Sequence, residues 1–190
     1  MSLQLGRAAL LIALQEGSGR PHVRSTITLV QEEEAVIVID PGMAPSQAAI
    51  LEPLAAAGFA PSDVTDVIIS HHHPDHTINV GLFGEARVHD HWAIYQYDSW
   101  TSRPAEGFLV SPSVMLWETP GHTPQDITTL IGTADGLAAA THLWWYEAGP
   151  PEDRLATDPA GVHAGRRRVA AVASMIIPGH GPAFTDPAVL

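Results

Sequence analysis

The sequence predicts an α/β protein in which two β-sheets lie face to face and helices cover their outer sides. Short apolar runs rich in β-branched residues recur in two sets along the chain, and each set is accompanied by one helical segment. The order strands, helix, strands, helix could give this architecture. No internal repeat or linker is evident, and 190 residues are enough to bury one core, so residues 1–190 are expected to form a single domain.

The first set consists of strands predicted at residues 5–15, 25–31 and 35–39. These strands should pair as an antiparallel meander. A helix is predicted over residues 46–57, where apolar residues recur at helical spacing. Pro53 is expected to kink or end that helix, because proline removes one backbone hydrogen bond.

The middle of the chain connects the two sets. A buried strand is predicted over residues 64–70, a short helix over 78–83 and a brief strand over 86–88, whereas residues 89–112 are the least regular segment. The second set is predicted as strands at 114–118, 127–132, 137–141 and 175–177, with a helix over 158–174 before the last of them.

The charge distribution limits the possible partners. The formal net charge is −12, and all nine basic residues in that count are arginine. Nucleic acids require a basic surface, so we expect a small-molecule substrate rather than a nucleic-acid partner, and the oligomeric state stays open. The run Arg166–Arg168 is expected to form the solvated face of the second helix, with Val162, Val169 and Val172 facing inward.

Composition also limits location and metal chemistry. No apolar stretch approaches the length that spans a membrane. Residues 8–14 superficially resemble a short signal peptide, but no convincing cleavage site follows, so we assign them to the first strand and expect a cytoplasmic protein. The chain has no cysteine, so nitrogen and oxygen must hold any transition metal.

A histidine-rich cluster, Ser-His-His-His-Pro-Asp-His at residues 70–76, is the most informative stretch. It follows a predicted strand that proline prevents from continuing, so its side chains should lie on a turn. Imidazole and carboxylate groups suit Zn²⁺ and similar ions. The spacing indicates two adjacent ions, with His71 and His73 on one and Asp75 and His76 on the other. An affinity-tag remnant is not expected inside a chain after a strand.

Two further histidines follow predicted strands. His122 lies in Thr-Pro-Gly-His-Thr-Pro, and His180 lies in Pro-Gly-His-Gly-Pro. The neighbouring glycines permit tight turns and a close backbone approach to an ion. Either histidine alone would be typical of a turn, but both together with the cluster form a constellation that indicates a metal site.

These motifs resemble those of the metallo-β-lactamase superfamily: an HxHxDH loop, a later Gly-His, an acidic position on a following strand and a terminal Gly-His. The chain is most similar to a group of small, single-domain hydrolases that includes a histone pre-mRNA processing nuclease. That resemblance runs through residues 25–30, 75–83, 119–122 and 172–182. It implies a four-layer αββα sandwich.

The resemblance also implies which residues bind metal. A first ion would be held by the triad His71, His73 and His122. A second ion would be held or flanked by the triad Asp75, His76 and His180. Zinc, as one or two ions, is the expected cofactor, with iron or manganese as alternatives. Asp40 is either a turn residue or, as the resemblance implies, a buried support for the metal loop.

One position departs from the family pattern. The superfamily carries Gly-Asp before the final helix, and that aspartate bridges both ions, whereas Thr141-His142 occupies the matching place here. A neutral imidazole offers one lone pair, so it can bind one ion but cannot bridge two. Three alternatives follow: one site is filled and the other is weak, His142 is a terminal ligand of one ion, or its side chain points away.

The resemblance and the ligand set predict metal-dependent hydrolysis. An activated water would attack an ester, thioester, lactone or amide, and Asp75 would orient that water and help protonate the leaving group. Phosphodiester or nuclease chemistry is the alternative, but it needs a basic groove. A mononuclear iron oxygenase of the same fold and a non-catalytic binding protein are further alternatives.

Aromatic residues are candidates for the substrate pocket. Alternation along a strand would place Trp144 on the same side as His142, so Trp144 is predicted to bind substrate and Trp145 to face away. Core packing of both tryptophans is the alternative. The aromatic residues of the irregular segment are expected either in the core or in a substrate-facing wall. His89 and His91 match no metal position and are not expected in the site.

Overall fold

The computed structural model describes residues 5–147, 149–185 and 187, which form two mixed β-sheets. The first sheet has its strands in sequential order: β1 (Leu10–Gln15), β2 (Ile27–Gln31), β3 (Val36–Ile39), β4 (Asp66–Ile68), β5 (Arg87–His89), β6 (Ala93–Gln96) and β7 (Ser99–Ser102). The second sheet runs from β8 to β13 in order across the sheet: β8 (Leu109–Ser111), β9 (Val114–Glu118), β10 (Ile127–Thr133), β11 (Gly136–Thr141), β12 (Met175–Pro178) and β13 (Phe184–Thr185). The helices are α1 (Ala48–Ala56), α2 (Pro74–Thr77) and α3 (Pro159–Ala170). No helix in the described part of the chain is long and apolar enough to cross a bilayer.

Three hydrophobic clusters define four layers. One cluster joins the inner faces of the two sheets. The second lies between the first sheet and α1, where Ile50 and Leu54 are buried. The third lies between the second sheet and α3, where Val162 and Val169 are buried. Each fully buried aliphatic side chain contributes about 1.5–3 kcal/mol, so these clusters hold the predicted αββα sandwich together.

Strand direction brings distant segments to one edge of each sheet. β3, β4 and β5 are parallel neighbours, and so are β11 and β12. The carboxyl ends of parallel strands meet at the same edge of a sheet. The histidine cluster after β4 therefore lies beside Asp40 after β3, and His142 after β11 lies beside His180 after β12.

The helices differ from prediction at their ends. α1 continues three residues beyond Pro53. α3 begins after Asp158, whose carboxylate accepts a hydrogen bond from the Gly161 N–H at 3.0 Å, and it ends at Ala170. Val172, predicted to face inward from this helix, follows its end and is 40% exposed.

The prediction of a solvated arginine run is wrong for its first member. Arg166 is fully buried and donates hydrogen bonds to the carbonyl oxygens of Leu143, Pro150 and Pro151 at 2.8, 2.7 and 3.1 Å. A buried guanidinium must satisfy its donors, and these carbonyls do so. Arg166 therefore ties α3 to the loop that follows β11.

The segment over residues 89–112 is more regular than predicted, because it contains β6, β7 and β8. All four residues of β7 are exposed at the edge of the first sheet, so the strand carries no apolar alternation that a sequence pattern could reveal. Trp92, Tyr97 and Trp100 are exposed and lie outside the core.

Candidate metal centre

The histidine cluster lies where the two sheets meet. Ser70 follows β4, and its carbonyl oxygen accepts a hydrogen bond from the Ile127 N–H of β10 at 2.9 Å. Pro74 begins α2, where a missing N–H costs nothing, and the helix turns His76 back into the pocket. This short helix explains how the chain leaves the strand and still presents several ligands to one point.

Three imidazoles form the first group. The His73 Nδ1 atom lies 3.0 Å from His71 Nε2 and 3.1 Å from His122 Nε2. Tetrahedral Zn–N bonds of about 2.0–2.1 Å place neighbouring nitrogens about 3.3 Å apart, so this spacing fits a shared ion. The structure brings together the three residues that were predicted for the first ion.

Two of these imidazoles, His71 and His73, have a lowered pKa, which favours their neutral form. Burial first, and then the neighbouring His76 and His122, lower the pKa of His71 well below its ordinary value. Burial and then His122 lower the pKa of His73 in the same direction. A neutral imidazole keeps a free lone pair, which is the form that binds metal.

Asp75, His76 and His180 form the second group. The Asp75 Oδ2 atom lies 3.7 Å from His76 Nε2 and 3.5 Å from His180 Nε2. Burial and then His76 lower the pKa of His180. These three residues, also predicted together, offer two nitrogens and one carboxylate oxygen to a common point.

Each of three candidate ligand histidines is oriented by a hydrogen-bond acceptor at its Nδ1 atom. His122 donates from Nδ1 to the Asp153 carboxylate at 2.7 Å, and His76 donates from Nδ1 to the Asp40 carboxylate at 2.9 Å. His180 donates from Nδ1 to the Arg24 carbonyl oxygen at 2.9 Å. Because Nδ1 carries the proton in each ring, Nε2 is left free to bind an ion.

Asp40 supports the metal loop, which is the second of its two predicted roles. It lies at φ 51°, and its other carboxylate oxygen accepts the Ser70 N–H at 2.7 Å. Gly42 allows the segment after β3 to lie close to the loop that carries Asp75, since a Cβ at position 42 would lie 1.7 Å from the Asp75 carbonyl oxygen. A side chain at position 42 would therefore displace the loop that carries Asp75.

His142 points into the centre, so the alternative in which it faces away is wrong. Its ring centroid lies 4.3 Å from that of His122, 4.6 Å from His71 and 4.9 Å from His76. Its Nε2 atom lies 3.1 Å from His180 Nε2. His142 thus stands between the two groups, at the place of the expected bridging aspartate, and its role as a ligand stays a prediction.

The donor set fits metal ions. His76 Nε2 and His142 Nδ1 are buried and have no hydrogen-bond partner among the described residues. A buried polar atom without a partner costs about 1–3 kcal/mol, and a bound cation would satisfy such an atom. Nitrogen and carboxylate donors without thiolate suit zinc, and they also suit iron and manganese.

The structure corrects the assignment of Trp144 to the substrate pocket. Trp144 is fully buried in the cluster beneath α3, and its ring lies 6.4 Å from that of Phe184. Trp145 instead faces the centre, with its ring 6.0 Å from His142 and 6.1 Å from His122. Strand alternation failed here because β11 ends at residue 141, before either tryptophan.

Sequence reasoning missed Asp153. Besides accepting the His122 Nδ1–H, this buried carboxylate accepts the Trp145 Nε1–H at 3.3 Å. Burial raises its pKa, but the hydrogen bond from His122 and further donors outweigh burial and lower it overall, so the carboxylate stays charged. Asp153 lies in a Pro-Pro-Glu-Asp loop without periodicity, and no sequence signal pointed to it.

Two other histidines lie outside the centre, as predicted. His89 donates from Nε2 to the buried Asp66 carboxylate at 2.7 Å. His91 belongs to none of the groups of described residues that could hold an ion. His72 also turns away from its neighbours and binds the Asp90 carboxylate at 3.1 Å.

Comparison with known proteins supports the resemblance seen in the sequence. The sequence model described as the metallo-beta-lactamase superfamily matches residues 20–183. The human protein named metallo-beta-lactamase domain-containing protein 1 is 35% identical over 194 residues, which cover 94% of this chain and 73% of the human protein.

Solved structures share the fold. A Thermotoga maritima metallo-beta-lactamase candidate superposes with a TM-score of 0.77 at 20% identity, covering 94% of this chain and all of that one. A B. thuringiensis protein, solved as a mutant with N-decanoyl-L-homoserine at its active site, gives a TM-score of 0.67 at 19% identity, covering 94% of each chain. The matched sequence, the fold and the assembled histidines place this chain in the metallo-beta-lactamase superfamily.

Proposed function

We propose that this chain is a metal-dependent hydrolase that cleaves an ester, thioester, lactone or amide bond in a small molecule. The observation that carries the proposal is the convergence of two donor triads, around His73 and around Asp75, on one pocket at the sheet edge. The B. thuringiensis structure with an acyl-homoserine at its active site supports an acyl substrate class.

The chain's own residues supply positioning and proton transfer. Zinc, when bound, would lower the pKa of a water molecule and polarise the scissile carbonyl. His71, His73 and His122 would hold one ion, and Asp75, His76 and His180 would hold or flank the other. The Asp75 side chain is 21% exposed, so it can contact both the centre and an incoming substrate.

Asp75 is the proposed general base and acid. Hydrolysis adds one water across the scissile bond: the water oxygen joins the acyl carbon, the bond to the leaving group breaks, and the leaving group takes a proton. The Asp75 carboxylate would accept the proton from the water and return it to the leaving alkoxide, thiolate or amine. Trp145, which faces the centre, would form an apolar wall beside the reacting group.

The two alternative functions, nucleic-acid cleavage and oxidation at a single iron, require different features of the site. Cleavage of a nucleic acid requires a basic groove, which a chain with net charge −12 and nine arginines poorly supplies. Oxidation at a single iron would use the same imidazole and carboxylate donors. Metal analysis of protein purified without added metal separates the iron enzyme from the zinc hydrolase.

The test is a panel of ester, thioester, lactone and amide substrates assayed with zinc-, manganese- and iron-loaded protein. We expect hydrolysis of at least one class, and Asp75→Asn should lower kcat by roughly a hundredfold or more. Asp98→Asn is the matched control, because Asp98 is exposed in the turn between β6 and β7. No hydrolysis with any metal, or full activity of Asp75→Asn, would contradict the proposal.

A further inference from the structure

The connection between β1 and β2 carries a small hairpin with a fixed arginine. Ser18 and Arg24 pair through two backbone hydrogen bonds of 3.0 and 2.9 Å. The Ser18 hydroxyl donates to the His22 carbonyl oxygen and accepts a hydrogen bond from Arg24 Nε at 3.0 Å. One edge of the half-buried Arg24 guanidinium is thus anchored within the hairpin, while its two terminal nitrogens have no acceptor among the described residues.

This hairpin concentrates positive charge in an acidic chain. Arg20, His22 and Arg24 lie within five residues, although the chain as a whole carries a net charge of −12. Within the described residues, neither Arg20 nor Arg24 forms a salt bridge. The guanidinium groups are therefore not neutralised by carboxylates of this protein.

The hairpin forms one wall of a cavity of about 330 Å³. The opposite wall follows β3, and the lining combines basic with apolar side chains: Pro21, His22, Val23, Arg24, Met43, Ala44 and Pro45. Such a lining suits a ligand that has a short apolar part and an anionic end.

Both walls are tied to the second donor triad. The Arg24 carbonyl oxygen accepts the His180 Nδ1–H at 2.9 Å, and the Met43 N–H donates to the Asp75 carbonyl oxygen at 2.9 Å. Each wall of the cavity is therefore linked by one hydrogen bond to a residue of the second donor triad.

We propose that this cavity is a subsite for an anionic group of the substrate, held by the Arg24 guanidinium and joined to the scissile bond through a short apolar linker. This inference rests on the proposed hydrolase function and narrows its substrates to acyl compounds with a second, negatively charged group. Arg24 would be a specificity-determining residue, and a planar guanidinium is suited to a carboxylate because it can donate two parallel hydrogen bonds.

Binding of dicarboxylates to the zinc-loaded protein tests the subsite without catalysis. Calorimetry would compare succinate, glutarate, adipate and suberate with monocarboxylates of equal length. At least one dicarboxylate should bind roughly tenfold more tightly than its partner, because one carboxylate occupies the centre and the other reaches Arg24. Arg24→Gln should abolish this preference, and Arg24→Lys should restore part of it.

Arg167→Gln is the matched control, because it removes the same charge from an exposed position in α3. The backbone bond from Arg24 to His180 does not depend on the side chain, so Arg24→Gln leaves it in place. Equal binding of dicarboxylates and monocarboxylates by the wild type would overturn the proposal. So would a preference that Arg24→Gln retains.

Hydrolysis of a matched ester pair separates this inference from the proposed function. The pair is the monophenyl ester of glutaric acid, which keeps a free carboxylate, and the same compound with that carboxylate converted to its neutral methyl ester. The Arg24→Gln change should lower the ratio of kcat/KM for the anionic phenyl ester to kcat/KM for the neutral one by roughly tenfold. If both esters are cleaved equally well by wild type and variant, the hydrolase stands and the subsite is wrong. If neither these esters nor any compound of the four-class panel is cleaved, but the dicarboxylate preference depends on Arg24, the subsite stands and the hydrolase proposal is contradicted.

Discussion

At the scale of single residues, His142 is the position on which we predict the number of bound ions to depend. Its ring contacts imidazoles of both donor triads, yet a neutral imidazole has only one lone pair to give. Gly179 makes room for the ring, since a Cβ there would lie 2.4 Å from His142 Cδ2. The position therefore favours one complete ion site over two ions linked by a bridge.

The wild-type chain should bind one zinc ion tightly, at His71, His73 and His122, and a second weakly or not at all. His142→Asp should raise the affinity of the second site by roughly tenfold or more, because a carboxylate supplies one oxygen to each ion and offsets one positive charge. Zinc stoichiometry in the presence of a competing chelator measures this change.

His142→Asn is the control for His142→Asp, because the amide has a similar shape without the charge. It should leave the second site weak. Two tightly bound ions in the wild type, or one ion in both wild type and His142→Asp, would refute this role for His142.

Neighbouring tryptophans should behave differently. Trp144→Ala should destabilise the fold by about 3–5 kcal/mol, because it empties a fully buried position beneath α3. Trp145→Ala should change kcat/KM with a smaller loss of stability, since Trp145 is only partly buried and faces the centre. Denaturant unfolding and steady-state kinetics on both variants check this; the reverse pattern would show that Trp144 is the pocket residue after all.

At the scale of elements, the loop after β11 depends on α3. Arg166 binds three carbonyl oxygens of this loop, and the loop carries both Trp145 and Asp153. Arg166 of α3 holds the loop, and Asp153 of the loop accepts a hydrogen bond from His122. The position of α3 therefore affects the orientation of His122. The loop has little regular structure of its own, so hydrogen bonds from Arg166 to its carbonyl oxygens hold it in position.

Arg166→Gln should destabilise the protein by about 2–4 kcal/mol, because it leaves buried carbonyl groups without donors. It should also weaken zinc binding, since Asp153 would no longer be held against His122. Denaturant unfolding and zinc competition measure the two effects. Arg167→Gln, at the exposed next position, should change stability by less than about 0.5 kcal/mol; equal effects of the two changes would contradict the role of Arg166.

At the scale of the whole molecule, the centre joins segments that are distant in sequence. Its candidate ligands follow β4, β9, β11 and β12, and thus come from both sheets. A bound ion would link the sheets at the edge where they meet. Metal binding should therefore contribute to the free energy of unfolding.

Removal of metal with a chelator should lower the melting temperature and abolish hydrolysis together, and added zinc should restore both. Thermal unfolding by circular dichroism, with metal content verified for each sample, measures the first effect. An unchanged melting curve after verified metal removal would contradict the stabilising role.

Much of this arrangement follows from local sequence signals. The apolar runs before residues 71 and 180 place histidines at strand ends. Within each sheet, parallel pairing brings these ends beside the end of a neighbouring strand, β4 beside β3 and β12 beside β11. The two sheets, α1, α3 and the convergence of seven metal-site candidates could therefore be anticipated. The spacing within residues 70–76 and the two distant Gly-His pairs indicated six of these candidates. His142 and the grouping into two triads came from the resemblance to the metallo-β-lactamase superfamily.

Other features depend on tertiary contacts that produce no periodic pattern of apolar residues in the sequence. Asp153 and Trp145 act from an irregular loop whose path is set by Arg166, so neither alternation nor spacing identifies them. Arg166 itself was predicted to be solvated, because charge pattern cannot reveal backbone carbonyls contributed by a remote loop. Strand β7 was not predicted for a similar reason: it has no buried face, so its sequence shows no apolar alternation.

The most direct measurement of the central claim is a crystal structure of zinc-loaded protein with anomalous scattering recorded at the zinc edge. We expect a strong peak within about 2.0–2.2 Å of nitrogen atoms of His71, His73 and His122. A weaker peak, or none, should lie beside Asp75, His76 and His180. Zinc bound elsewhere, with both triads unliganded, would contradict the claim that these residues form the metal centre.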